Sequence, residues 1–248
     1  MNGPFAWFKW EAVFRDYNIF FEGFLITLEV AILGLVLALI LGVIFGVLST
    51  SKLKVFKIIS RIYVEIIQNT PLVIQIFFLF NGLPYIKVVL PVFAIGVLGV
   101  GVYHGAYIAE VVRAGIISIQ KGQFEAAKSQ GFSHIQTMKY IILPQTIKII
   151  IPPLTNQLVN LIKNTSVLAM IAGGDLMYRA DSWSSSNMYY GPAYVVTGVL
   201  YFILCYPLAR FARKLELKEN KGKITGPEVS VEGLSVATEG GCKCVTSI

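Results

Sequence analysis

A short polar run, Lys163-Asn164-Thr165-Ser166, interrupts one of the long apolar stretches of this chain. A charged residue inside such a stretch is costly in a bilayer and therefore points to binding or to pairing. Ammonium and amide groups can hold a carboxylate, and hydroxyl and carbonyl oxygens can accept hydrogen bonds from an ammonium group. The run could therefore bind a zwitterionic amino acid. In the alternative, Lys163 extends towards the interface and the hydroxyls bond back to carbonyls of their own helix.

Other polar side chains in apolar stretches are weaker candidates for the same substrate site. They are Tyr107, Glu110, Asn69 and Thr70. Glu110 has Arg113 one turn later, and Glu65 has Arg61 one turn earlier, so local ion pairing is the competing explanation for both acids. His104 is interpreted as a hydrogen-bonded packing residue rather than a proton relay.

Patterns typical of catalysis are missing from the sequence. It contains no His-Glu-x-x-His motif, no Ser/His/Asp arrangement and no Walker phosphate loop. The pair Gly222-Lys223 lacks both the upstream glycine and the following Ser or Thr. Cys242 and Cys244 offer only two thiolates, too few to close a tetrahedral metal site. We therefore expect no catalytic residue, no metal and no cofactor in this chain, and ATP with Mg²⁺ would be bound by a separate partner.

A polar insert at residues 118–144 has the pattern of a helix, a sharp turn and a second helix. Good helix formers run from Gln123 to Gln130. Gly131 follows at the position where a helix ends on a residue of positive φ. Ser133 and Gln136 have the spacing of a capping box that starts the next helix.

Two further features of the insert concern its surface and its end. Ala126 and Ala127 give the first helix a small, smooth face suited to a groove of another protein. Pro144 would end or kink the second helix. The alternative is an amphipathic loop that lies on the membrane surface.

The elements that must position these residues are membrane-spanning helices. Of 248 residues, 55% are hydrophobic and 14% are charged, and the mean hydropathy is +0.68. A soluble domain of this size could not bury so much apolar side chain. We predict an all-α integral membrane protein with five spans, at about 23–49, 60–82, 89–117, 146–171 and 191–212. Residues 1–22 would form an external interfacial segment, 23–215 the transmembrane domain and 216–248 a flexible cytoplasmic tail.

Basic residues cluster on one side of these predicted spans. They occur after span one, in and around the polar insert, and in the C-terminal segment. The opposite side carries only Lys9, Arg15, Lys87 and Arg179. The positive-inside bias therefore predicts an external N-terminus and a cytoplasmic C-terminus. The net charge of +7 reflects this topology, and we expect no nucleic-acid partner.

Two pairs of glycines have GxxxG spacing, Gly42 with Gly46 and Gly101 with Gly105. Such pairs allow helices to approach closely. We expect them to serve as packing sites, with the subunit interface as one possible location.

The insert resembles the EAA motif of permease subunits in ATP-binding-cassette (ABC) importers. The matching positions are Glu125-Ala126-Ala127, Gly131, Ile141 and Leu143-Pro144. The segments 63–72, 106–115 and 154–157 are similar to signatures of the polar amino acid branch of that family. One departure is Gln68-Asn69, where many relatives carry Arg-Gly. The resemblance covers about residues 20–215.

The resemblance implies a type I importer permease with five transmembrane helices in a bacterial cell membrane. It implies that the 125–131 helix is a coupling helix seated in a cleft of a cytoplasmic ATPase. The implied ATPase-coupling residues are Glu125, Ala126, Ala127, Gly131, Leu143 and Pro144. Two permease subunits, as a homodimer or heterodimer, would work with two ATPases and an extracytoplasmic solute-binding protein.

The expected function is ATP-driven import of a polar amino acid by alternating access. Asn164-Thr165-Ser166 contains no acid, which disfavours a purely cationic substrate and favours glutamine or glutamate. The rival is an ion-coupled secondary amino acid transporter, which would need both gates and internal repeats in one chain. Five predicted spans and the lack of a clear repeat disfavour it. An intramembrane hydrolase is disfavoured by the missing catalytic patterns.

Overall fold

A computed structural model describes residues 3–224, with side chains described through Leu217. This part of the chain is helical and contains no strand. Its α-helices are α1 (Trp7–Arg15), α2 (Tyr17–Ser49), α3 (Lys54–Gln68), α4 (Leu72–Phe77), α5 (Val92–Ile117), α6 (Lys121–Ser129), α7 (His134–Thr137), α8 (Leu143–Asn164), α9 (Leu176–Asn187) and α10 (Tyr190–Ile224). Two π turns (Phe78–Gly82, Met138–Ile142) and two 3₁₀ segments (Leu83–Ile86, Thr165–Ile171) extend them.

Three helices in the described part are long and apolar enough to cross a membrane. They are α2, α5 and the Tyr190–Leu217 part of α10. Neither α3 nor the segment Leu72–Ile86 is long and apolar enough to cross a membrane by itself. Together they meet the criterion, with a bend of 99° between them. The predicted fourth span corresponds to α8 and the 3₁₀ segment after it.

The prediction of a single second span at 60–82 was wrong about its shape. The break falls at Asn69-Thr70-Pro71, because a residue before proline avoids the helical region. The Asn69 amide donates to the Glu65 carbonyl at 2.8 Å, and the Thr70 hydroxyl donates to the Ile66 carbonyl at 2.8 Å. These bonds satisfy the last carbonyls of α3 and end it there.

The ends of the chain also differ from the predicted boundaries. The α2 helix begins at Tyr17 rather than near residue 23, and α1 packs Val13 against the cluster that contains Phe20 and Trp183. Residues 216–224, predicted as flexible tail, belong to α10. The rest of the predicted tail, with Cys242 and Cys244, lies outside the described residues.

Glycines set the register between α2 and α5. Three glycines of α2 face the residue 66 positions later: Gly34 and Val100, Gly42 and Ile108, Gly46 and Val112. The constant offset means that the two helices run parallel. The glycines at positions 101 and 105 face Leu37 and Leu41 of α2 in return. The GxxxG pairs therefore pack two helices of one chain together, and the suggested location at a subunit interface was wrong.

The α8 helix runs in the opposite direction to α5. Gly96, near the start of α5, faces Leu168, and Gly115, near its end, faces Ile150. Because α2 and α5 are parallel, the intervening α3–α4 segment returns from the end of α2 to the start of α5. The fold thus places the polar groups of α3, α5 and α8 side by side.

Candidate functional site

The polar insert has the predicted helix–turn–helix form. Gly131 has φ of 80°, in the left-handed region that glycine adopts without a Cβ clash. Its N–H donates to the Lys128 carbonyl at 3.0 Å, and the Phe132 N–H donates to the Ala127 carbonyl at 3.1 Å. These two bonds form a Schellman motif, which ends α6 and turns the chain sharply.

The capping box at the start of α7 is also confirmed. The Gln136 N–H donates to Ser133 Oγ at 3.3 Å, and the Ser133 N–H donates to Gln136 Oε1 at 2.8 Å. The Met138–Ile142 π turn and α8 follow without a break. Pro144 therefore does not end the second helical segment; it lies at the junction of the π turn and α8.

The small, smooth face predicted for α6 is divided between two sides of the helix. Ala127 is 2% exposed, and Phe124, three residues earlier, packs against the main core. Glu125 and Ala126 are exposed. Successive residues point about 100° apart on a helix, so the two alanines cannot share one face. The surface that α6 offers to a partner therefore contains Glu125 and Ala126 but not Ala127.

Polar side chains form a strip along one face of α5. Tyr103, Tyr107 and Glu110 are spaced by four and three residues, and each is partly buried. The hydroxyl oxygens of the two tyrosines lie 3.1 Å apart. Arg113 Nε donates to Glu110 Oε2 at 2.9 Å, which confirms the predicted local ion pair. We call Tyr103, Tyr107 and Glu110 the α5 polar strip.

His104 joins the α5 polar strip to α8. It is only 2% exposed, and its Nε2 lies 3.0 Å from the amide nitrogen of Asn164. Its Nδ1 lies 3.4 Å from Oε1 of Gln157. The two amides therefore occupy both ring nitrogens of His104, with the donor and acceptor roles set by the tautomer. This agrees with the interpretation of His104 as a hydrogen-bonded packing residue.

The sequence-based candidate site missed Gln157. It lies seven residues before Asn164, two turns away on the same face of α8, and this spacing was the available signal.

The other three residues of the run, Lys163, Thr165 and Ser166, have different surroundings from Asn164. Lys163 is exposed. The Thr165 hydroxyl donates to the Ile162 carbonyl at 2.7 Å, and the Ser166 hydroxyl donates to the Lys163 carbonyl at 2.8 Å. These are local bonds of the kind offered as the alternative explanation. Within the run, Asn164 alone makes a hydrogen bond to α5 among the described residues.

A different residue connects α3 to the strip. Gln68 Nε2 donates to the Ala106 carbonyl at 3.2 Å, next to Tyr107. The side chains of the neighbouring Asn69 and Thr70 bond back to α3, as described above. Gln68 belongs to the Gln68-Asn69 pair that departs from the Arg-Gly of many relatives. Its neutral amide thus connects α3 to α5.

A charged cleft of about 520 Å³ lies between α3 and α5, near the end of α5 that leads into the insert. Its lining includes Arg61, Glu65, Gln68, Glu110 and Arg113. Arg61 Nε lies 2.6 Å from Glu65 Oε1, so this predicted pair also forms, with side chains 78% and 56% exposed. The cleft continues the α5 polar strip towards that end.

A buried carboxylate lies at the opposite end of the bundle. Asp175 caps the N-terminus of α9, and its Oδ2 accepts the Met177 N–H at 3.0 Å. Its Oδ1 has no hydrogen-bond partner among the described residues. Burial raises the pKa of Asp175 to about 6, from an ordinary value of 3.8.

The raised pKa predicts that acid stabilises this end of the fold. A group whose pKa is higher when folded stabilises the protein below its unfolded pKa, and the effect is lost as pH rises through the folded value. We expect the free energy of unfolding to be about 1 kcal/mol larger at pH 5 than at pH 7.5 because of Asp175. Thermal unfolding in detergent measures the effect. Between pH 5 and pH 7.5, the native protein should lose more stability than Asp175→Asn. An equal pH dependence in the two proteins would contradict the assignment.

Comparison with known proteins identifies the relatives of this fold. Residues 34–219 match the family described as "Binding-protein-dependent transport system inner membrane component". The chain is 41% identical to the "Probable glutamine ABC transporter permease protein GlnM" of Bacillus subtilis (strain 168), over 84% of this chain and 97% of that protein. It is 35% identical to the protein GlnP of the same organism, with a similar description, over 80% of this chain and 92% of that protein.

Two solved structures have the same fold. An amino acid ABC transporter crystallised with histidines has a TM-score of 0.77 and 30% identity, covering 86% of this chain and 98% of its own. The inward-facing methionine transporter MetNI has a TM-score of 0.60 and 17% identity, covering 80% and 95%. The second likeness concerns the fold alone.

Proposed function

The chain belongs to the family of binding-protein-dependent transport system inner membrane components, and from this premise we propose that its substrate is glutamine or a closely similar polar amino acid. It is a multi-pass membrane permease of an ATP-driven amino acid importer, with the fold of type I ABC permeases. The glutamine assignment rests on the descriptions of the relatives and on the amide centre, which consists of the uncharged Gln157 and Asn164 side chains held in place by His104. Neutral donors and acceptors suit an uncharged polar side chain better than a cationic one.

The proposed topology has five crossings, with the N-terminus outside. The parallel α2 and α5 require one return crossing by the bent α3–α4 pair, and the antiparallel α8 requires another. The α10 helix lies against α8 and runs antiparallel to it, since Tyr201 lies beside Thr165 while Glu216, later in α10, accepts from the earlier Asn156 at 2.7 Å. An odd number of crossings puts the termini on opposite sides, and the basic residues favour a cytoplasmic C-terminus.

The proposed partners follow from the surfaces that the chain leaves exposed. The α6 surface with Glu125 and Ala126 would dock in a cytoplasmic ATPase. That ATPase would bind ATP and Mg²⁺, since this chain has no motif for binding a nucleotide. The half-exposed groups of the α5 polar strip and of the charged cleft cannot face acyl chains without a large penalty. A second permease subunit, identical or related, would cover them and enclose an aqueous path. An external solute-binding protein would deliver the substrate.

In this mechanism, substrate moves along the α5 polar strip into the charged cleft. ATP-driven closure of the ATPases pushes α6, and the rigid Schellman turn and capping box transmit the movement to α8. Because α8 carries Asn164 and Gln157, its displacement changes their contacts with His104 on α5. The site is thereby opened to one side or the other, as alternating access requires.

The test is uptake by the purified complex in proteoliposomes with its ATPase and binding protein. We expect labelled glutamine to accumulate only with ATP inside, and an uncoupler at constant ATP to leave uptake unchanged. Collapse of uptake by the uncoupler would contradict the proposal and support the ion-coupled alternative. Stimulation of ATP hydrolysis by another amino acid but not by glutamine would correct the substrate.

Asn164→Ala tests the amide centre directly. We expect the KM for glutamine uptake to rise by roughly tenfold, because the loss of one good hydrogen bond in a buried polar site is worth about 1–3 kcal/mol. Ser166→Ala is the matched control, since the Ser166 hydroxyl bonds to its own helix. Its KM should stay within about twofold of the native value. Equal effects of the two substitutions would remove Asn164 from the site.

A further inference from the structure

An apolar groove of about 560 Å³ lies between the ends of α2 and α5 and the polar insert. Its walls include Val47, Ile116, Phe124 and Met138. Lys121 of α6 and Lys139 of the π turn also line it, and its described lining contains no acid. We call this the insert groove. We propose that it binds an acidic phospholipid of the cytoplasmic leaflet, with the acyl chains on the apolar walls and the phosphate at Lys121 and Lys139.

The level of the insert groove in the membrane supports a lipid. Since α2 and α5 run parallel with a constant offset, their last turns end at the same height. The groove opens beside those last turns, where the apolar spans meet the polar insert. Ile117 and Ile135, which line it, are 60% and 77% exposed. Large aliphatic side chains that are this exposed at the end of a span favour contact with acyl chains over contact with water.

The charges at the groove favour an acidic head group over a neutral one. Among the described residues, neither Lys121 nor Lys139 has a carboxylate within ion-pairing distance. The Lys139 ammonium instead lies 5.4 Å from the centroid of the Tyr140 ring. Basic pockets between helices on the cytoplasmic side are typical sites for anionic head groups, and each lysine near such a surface contributes about a fivefold preference. The long lysine stems can lie along the apolar wall while the ammonium groups reach the phosphate.

The groove borders the proposed ATPase contact on one side of α6. Lys121 and Phe124 line the groove, and the exposed Glu125 lies one turn after Lys121, whereas the exposed Ala126 points away from it. A lipid in the groove would touch α6, α7 and the ends of α2 and α5 at once. It would therefore hold the insert against the bundle and leave the Ala126 side of α6 free for docking.

The experiment measures lipid retention by the intact transporter, with its ATPase, using native mass spectrometry. The probes are palmitoyl-oleoyl phosphatidylglycerol and the matching phosphatidylcholine. Lys121→Gln combined with Lys139→Gln removes both groove charges. Arg213→Gln combined with Lys214→Gln removes two charges from α10, which do not line the groove, and is the matched control. Lys121→Arg combined with Lys139→Arg keeps the charge and checks that folding is intact.

We expect the native complex to retain phosphatidylglycerol at least tenfold better than phosphatidylcholine. The groove Gln pair should lose that preference, and the Arg pair and the α10 pair should keep it. Equal retention of the two lipids by the native complex, or an equal loss in both Gln pairs, would overturn the proposal. Retention by the permease alone that disappears when the ATPase binds would also overturn it, because the ATPase would then occupy the groove. ATP-driven glutamine uptake in phosphatidylcholine vesicles tests the proposed function independently of lipid binding.

Discussion

Gly131→Pro will lower substrate-stimulated ATP hydrolysis by the assembled transporter to its basal rate. Proline fixes φ near −65°, whereas this position has φ of 80°, so the substitution cannot keep the turn. Proline also removes the N–H that donates to the Lys128 carbonyl. The end of α6 must then rearrange and carry Glu125 and Ala126 away from their places. ATPase activity of reconstituted complexes, with and without substrate-loaded binding protein, measures the effect.

Two variants of the same insert make this prediction specific. Gly122→Ala lies in α6, where an added Cβ meets no atom within 4 Å, and should leave coupling unchanged. Gly131→Asn should retain most of the stimulation, since asparagine tolerates the left-handed region better than other side chains. Membrane insertion should be normal for all three variants because the insert lies outside the apolar spans. Normal stimulation in Gly131→Pro would contradict the role of α6 in docking.

Gly46→Ala will destabilise the bundle, and Gly46→Leu will prevent recovery of folded protein. A Cβ at Gly46 would lie 2.6 Å from Val112 Cβ and 2.8 Å from the Ala109 carbonyl oxygen. The second neighbour is backbone, so the clash cannot be relieved by a rotamer change alone. Overpacking of this kind typically costs about 1–3 kcal/mol for a methyl group and more for a larger side chain. Thermal unfolding of the detergent-solubilised permease measures the loss.

The matched control for this prediction lies in the same helix. A Cβ at Gly34 would have its nearest neighbour, Val100 Cγ1, at 3.7 Å, which is ordinary van der Waals contact. Gly34→Ala should therefore leave the unfolding midpoint within about a degree of the native value or raise it slightly, since alanine is the better helix former. If Gly34→Ala and Gly46→Ala behaved alike, the close α2–α5 contact would be refuted.

Local chemistry allowed the insert to be predicted in detail. The Gly131 turn, the Ser133–Gln136 capping box and the two local ion pairs depend on residues within one turn of each other, so their spacing is sufficient. The sequence-based prediction of the insert was wrong where a residue could face either a partner protein or the core of its own chain. Ala127 could face a partner or the core, and only the packing of α6 decides that it is buried.

The proposed substrate site was harder to predict because its members come from separate helices. The Lys163-Asn164-Thr165-Ser166 run looked like one polar unit in sequence. Consecutive residues on a helix point in different directions, so Asn164 hydrogen-bonds to α5 while two hydroxyls bond to their own backbone. The spacing of Gln157 and Asn164 places them on one face of α8, but only the packing of the helices brings Gln157 and Gln68 to α5.

By itself, the sequence determined the all-α fold class of the protein, its membrane location and the helix–turn–helix form of its polar insert. These follow from composition, periodicity and capping, which act over a few residues. Tertiary structure alone decided that the GxxxG pairs join α2 to α5, that the second span is bent at Pro71, and that His104 connects two helices. The physical reason is that each of these depends on contacts between residues far apart in the chain. Such contacts are fixed by how helices pack as a whole.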